Sequence, residues 1–225
     1  AIYGVAKDMQ ISEDQLTYTF TLRDDAKWSD GQKVTANDFK FSWLRALNPE
    51  TAAEYAYQLF YIKNGQAYNK GEVTAEEVGI EVVDESTLKV TLEAPTVYFP
   101  ELMAFPTYMP LREDIVSANP EGWANDPETY MSNGPFKLVE WTMKDRFVVE
   151  KNENYWNKDS IKLPGIEFLM VTDQNTAYSS LQSGEFDMVD TVPAAEIEDA
   201  VNSGLATIYP NLATYMIILN VGKQD

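Results

Sequence analysis

The sequence predicts an α/β or α+β protein, and three observations carry that expectation. Apolar residues alternate along residues 16–23, a helix start is encoded around Thr35, and strand and helix patterns continue to interleave through the rest of the chain. With 225 residues, 44% hydrophobic and 24% charged, the chain has the composition of a folded globular protein rather than a disordered one.

The elements follow in order. In "LTYTFTLR", Leu16, Tyr18, Phe20 and Leu22 share one face of a strand. Asp30-Gly31 then signals a turn. Thr35 is placed as a helix N-cap with Asp38 at the third helical position, where its charge meets the positive helix end, and Val34 can staple Phe39. Phe39, Trp43, Ala46 and Leu47 recur at helical spacing, and Asn48-Pro49 ends the helix. Trp28, Phe39 and Trp43 are expected in the core. Further helices are predicted over residues 55–62, 96–104, 174–183 closed by Gly184, and 194–203 closed by Gly204. Further strands are predicted over residues 87–93, 136–142, 146–151, 166–171 and 215–220. Two prolines interrupt the pattern in residues 105–114, which marks a lobe boundary there.

Charge and missing residue types exclude several functions. Lys and Arg number 17 against 36 Asp and Glu, a net −19 that opposes binding to nucleic acid and anionic lipid. The acids are spread through both halves and read as a solvated surface. With no His and no Cys, a Ser/His/Asp triad, a Cys/His dyad and imidazole or thiolate metal sites are impossible. Carboxylate chemistry is the remaining enzymatic option, and Asp24-Asp25, Glu76-Glu77 and "DMVD" at residues 187–190 are its candidates, each read more simply as surface. "DDAKWSDG" lacks the spaced oxygen ligands and terminal Glu of a calcium loop. No run reaches the roughly 18 apolar residues of a membrane span, and "AIYGVAKDMQ" is not a signal peptide.

"YTFTLRDDAKWSDGQKVTANDFKFSW", residues 18–43, resembles the signature of the extracellular solute-binding proteins of family 5, the oligopeptide- and dipeptide-binding receptors of bacterial ABC importers. The resemblance continues through "VVDESTLKVTLEAPTVYFPELMAFP", "SNGPFKLVEW", "VVEKNENYW", "SLQSGEFDMVDTVP" and "YPNLATYMIILN". One departure is Met9, which stands where many members carry Trp.

The resemblance implies a periplasmic-binding-protein-like fold with mixed β-sheets flanked by helices. Residues 1–110 would form a small extra subdomain of the first lobe, and residues 111–225 part of the main first lobe running to the hinge. Family members are usually more than twice this length, so the chain is expected to be a fragment lacking the start of the first lobe and the second lobe. The implied function is capture of a peptide by closure of two lobes, without chemistry, cofactor or metal. The implied partners are a peptide ligand and the importer's membrane subunits, with no nucleic acid, and the implied receptor is monomeric. It would sit outside the cytoplasm, in the periplasm or as a surface lipoprotein. Receptors of the same architecture for signalling peptides, nickel, haem or sugar remain alternatives, as does a carboxylate-dependent glycoside hydrolase.

Two places are singled out for ligand contact. Tyr55 matches a family tyrosine bordering the peptide cleft, and an aromatic ring with a polar tip suits a ligand wall. In "SNGP", Asn133 and Gly134 precede a proline, where unusual backbone angles allow close approach to a ligand or hinge.

Overall fold

The computed structural model describes residues 3–210 together with 214, 216 and 217. It divides into two compact units, Ala1–Leu169 and Met170–Asp225. In the first unit the elements run β1 (Ala6–Ile11), β2 (Thr17–Leu22), α1 (Ala36–Leu47), α2 (Gly65–Asn69), β3 (Ile80–Asp84), β4 (Thr87–Thr91), α3 (Phe99–Leu102), α4 (Glu113–Ala118), β5 (Phe136–Thr142), β6 (Arg146–Lys151) and β7 (Gly165–Leu169). The second unit holds α5 (Gln174–Ser183) and α6 (Ile197–Asn202).

The first unit carries two sheets, one ordered β1-β2-β4-β3 and the other β5-β6-β7. Every pairing among the described strands is antiparallel, in place of the mixed sheets expected, so of the two class readings α+β describes these residues. The reason is connectivity. β3 and β4, and β5 and β6, are joined by tight turns that only antiparallel neighbours can use, whereas parallel neighbours need a crossover of about a dozen residues or more.

Strand β2 is central, and its alternation is visible in burial: Tyr18, Phe20 and Leu22 are buried while Thr17, Thr19 and Thr21 are only partly so. That apolar face packs with Trp43 and Leu47 of α1, with Leu59 and Ile62, and with Leu88 and Val90 of β4 to form the main core. The α1 start is the one encoded. The Thr35 N–H donates to the Asp38 carboxylate at 2.7 Å, closing the capping box, and Phe39 packs with Val34, Ala26 and Trp28 in a satellite cluster.

Several boundaries moved. Residues 55–62 hold only a 3₁₀ turn, Ala56–Leu59, because the buried Leu59 and Ile62 must meet the core and Ile62 pairs with Leu92 outside the helical register. The helix expected over 96–104 shortens to α3, four residues with a proline near its start. The stretch 194–203 divides into a 3₁₀ turn and α6. Strands β1 and β3 lay outside the prediction; both are sheet edges, with one side open to water and weak alternation as a result. The strand expected at 215–220 falls mostly outside the described residues. No described helix is long and apolar enough to cross a membrane.

Candidate functional site: an apolar groove and a clamped loop

The first unit opens a groove of about 750 Å³, within the size range of small-molecule and peptide sites. Its walls include Met9 of β1, Phe20 of β2, Phe39 of α1, Met103 after α3, and Trp156. Polarizable methionines beside aromatic rings make a surface that can adapt to varied apolar groups. Trp156 is held from behind, since the Arg23 guanidinium lies 3.9 Å over its ring while the Arg23 Nε donates to the Gly4 carbonyl at 2.7 Å.

Both residues predicted in "SNGP" line this groove. Gly134 does not use the backbone freedom expected of it. Its φ is not positive, and a Cβ added there would meet only the Ser132 Oγ at 3.5 Å. Its own groups are engaged: the N–H donates to Ser132 Oγ at 3.1 Å and the carbonyl accepts from Asn152 Nδ2 at 2.9 Å. Asn133 differs, because its Nδ2 is buried with no hydrogen-bond partner among the described residues. An orphaned buried donor costs about 1–3 kcal/mol.

Tyr55 does not line the groove. Its ring is 48% exposed and packs beside Phe105 and Tyr57, with centroids 5.2 and 5.9 Å away. Phe105 directly follows Ala104 of the groove wall, so Tyr55 stands on an adjoining aromatic step rather than in the groove itself.

The carboxylates behave as surface and scaffold. Asp24 pairs with Lys7 at 2.7 Å on the exposed side, and Lys7 holds its carboxyl below the usual range. Asp30 pairs at 2.9 Å with Arg112, which is only 7% exposed and also binds Asp114. Burial pushes the Asp38 carboxyl up, against the hydrogen bonds it accepts from Thr35 and Trp28. Glu101 is the one carboxylate lining the groove, so the paired acids that glycoside hydrolysis needs are not assembled there. Among the described residues no group of three or more acids could hold a metal.

The family model "Bacterial extracellular solute-binding proteins, family 5 Middle" matches residues 1–224. The chain belongs to extracellular solute-binding protein family 5. Among curated relatives, it is 45% identical over 184 residues to the oligopeptide-binding protein OppA of Bacillus subtilis, covering 82% of this chain and 34% of that protein. It is 39% identical over 221 residues to the dipeptide-binding protein DppE of the same organism, covering 98% of this chain and 40% of that one. Among solved structures, the substrate-binding domain of an oligopeptide ABC transporter from Bacillus anthracis aligns with a TM-score of 0.84 at 41% identity, over 89% of this chain and 39% of the other. Listeria monocytogenes OppA bound to peptide aligns with a TM-score of 0.79 at 44% identity, over 83% and 37%. The chain thus spans 34 to 40% of the length of these curated relatives. The family and these relatives are binding proteins, extracellular or periplasmic by family.

What residue-by-residue reading of this family 5 chain missed is the support behind the loop. Ser29 and Asn152 bond "SNGP" from elsewhere in the chain, and Asn154 ties those two together. The only local signal was the Asn-rich "NENYW" after a strand, where side chains that bond nearby backbone are common.

Proposed function

We propose that this chain is part of the substrate-binding component of an ABC-type peptide importer, which captures oligopeptides in a cleft between two lobes and does no chemistry on them. The observation that carries the reading is the apolar groove with Asn133 on its wall, in a chain of a family whose named relatives bind oligopeptides and dipeptides. A peptide needs apolar walls for its side chains and a few fixed polar groups for its main chain. Closure of a second lobe would exclude water and complete the main-chain hydrogen bonds.

Within that reading, residues 1–110 are the small extra subdomain of the first lobe and residues 111–225 run through the main lobe to the hinge. Asn133 and Gly134 contribute the first-lobe wall, Gly134 by shaping the loop, and Tyr55 meets the ligand from the aromatic step beside the groove. The receptor is a monomer that docks on the importer's membrane subunits, outside the cytoplasm, anchored as a surface lipoprotein or free in the periplasm.

Isothermal calorimetry with a mixed oligopeptide library tests this. The complete gene product should bind at micromolar affinity or tighter and release the peptides unchanged. The 225-residue chain alone should bind at millimolar affinity or not at all, because one wall cannot offset the lost freedom of the peptide. Peptide cleavage, or no binding by the complete protein, would overturn the reading.

A further inference from the structure

The loop carrying Asn133 is closed into a ring of hydrogen bonds drawn from three separate stretches of chain. The Ser132 N–H donates to Ser29 Oγ at 3.3 Å, and the Ser29 carbonyl accepts from Asn154 Nδ2 at 3.0 Å. The Asn154 N–H donates to Asn152 Oδ1 at 3.0 Å, Asn152 Nδ2 donates to the Gly134 carbonyl at 2.9 Å, and the Gly134 N–H returns to Ser132 Oγ at 3.1 Å. Asn152 is 1% exposed, and its backbone N–H also holds the Pro135 carbonyl at 2.9 Å. Every member of the ring has spent the groups named. Asn133 sits inside this frame with its Nδ2 unpartnered and its residue on the groove wall.

We propose that Ser29, Asn152 and Asn154 are positioning residues that hold the 132–135 loop so that the Asn133 side-chain amide is a preset donor to a main-chain carbonyl of the bound peptide. This rests on the peptide-binding reading and adds to it a named donor, its acceptor and the residues that aim it.

Three physical points support it. A buried donor without an acceptor is penalised unless something else supplies the acceptor, and of the groups a peptide offers, its carbonyl oxygens are present in every sequence. The terminal torsion of an Asn side chain is soft, so rotation about it is the motion that would bring the buried amide to a ligand in the groove while the backbone stays fixed. The backbone is meanwhile fixed by residues whose own rotamers are locked by burial and hydrogen bonds, which is how a binding group is kept ready before the ligand arrives. Plain loop stabilisation would satisfy the ring equally well, but it leaves the Asn133 amide unexplained.

The test is a double-mutant cycle in the complete gene product, with a pentapeptide selected on the wild type from a random library. Asn133→Ala should raise Kd about threefold to tenfold, the worth of one neutral hydrogen bond. Ser29→Ala and Asn152→Ala should raise it by a similar factor, and neither should add a further loss once Asn133 is already Ala. Thermal melts run beside each variant. Ser29→Ala removes one link and keeps the rest of the ring, so it reports even if Asn152→Ala does not fold. An unchanged Kd in Asn133→Ala would overturn the inference while leaving the peptide reading intact. So would a full loss from Ser29→Ala persisting in the Asn133→Ala background, since the ring would then act through something else. A wild type that selects no peptide would overturn both.

Discussion

The Trp28 Nε1 donates a hydrogen bond of 3.2 Å to the Asp38 carboxylate, the same oxygen that takes the Thr35 N–H. One acidic oxygen therefore joins the turn after β2 to the first turn of α1. Trp28 is 2% exposed and packs with Ala26, Val34 and Phe39, so the pairing sits in a dry corner where each lost contact is felt. Trp28→Ala should cost about 3 to 5 kcal/mol in urea unfolding. Trp28→Phe, which keeps most of the ring but not the donor, should cost about 1 kcal/mol beyond its lost volume. A Trp28→Phe cost no greater than its lost volume accounts for would mean that the hydrogen bond contributes nothing.

Arg112 and Asp30 form the second joint. Because Arg112 is nearly buried, Asp30→Asn leaves a guanidinium with Asp114 as its remaining carboxylate, and the expected loss is about 3 kcal/mol. Replacing both partners with apolar residues should recover much of that loss. A stability change under about 0.5 kcal/mol for Asp30→Asn would show the pair to be screened.

Acid should act through Asp114. Its carboxyl is held below the usual range, first by its hydrogen bond from Arg112, so its folded-state pKa is depressed relative to the unfolded chain. The stability it contributes is full above the unfolded pKa, near pH 4, and is lost as pH falls through the lower folded value. The difference in unfolding free energy between wild type and Asp114→Asn should be constant near neutrality and shrink below about pH 4. Asp38 has the opposite sign. Its raised carboxyl opposes folding at neutral pH, and acid relieves that cost.

Tyr55 should separate binding from folding. Its ring is half exposed, against Phe105 and Tyr57, so Tyr55→Ala should change stability by less than about 1 kcal/mol. Peptide affinity of the complete protein should nevertheless fall by about 1 to 3 kcal/mol, as for an aromatic anchor. Calorimetry and a thermal melt on the same sample check both numbers.

Gly184 gives a local test in the second unit. It caps α5 at φ 79°, with nothing within 4 Å of an added Cβ, so Gly184→Ala should cost about 1 kcal/mol from backbone strain alone. Gly184→Asn should cost less, and chemical denaturation of the pair reads the difference.

The sequence by itself determined what neighbours along the chain decide. The alternation of β2, the cap at Thr35 with Asp38, the stop at Asn48-Pro49 and the closure of α5 at Gly184 depend on side chains within a few residues of one another, and each is found as read. The family was legible too, because its signature is a contiguous run. Tertiary structure decided the rest. It shortened the helix expected after Tyr55 to a single 3₁₀ turn, since Ile62 had to reach Leu92. It also set Asn133 in the groove and left Tyr55 beside it. The pair Asp30–Arg112 spans 82 residues and the contact Ser29–Asn154 spans 125. A polar residue in a turn has many partners within reach in the unfolded chain, and only the packed core, by fixing which backbones meet, selects the one it keeps.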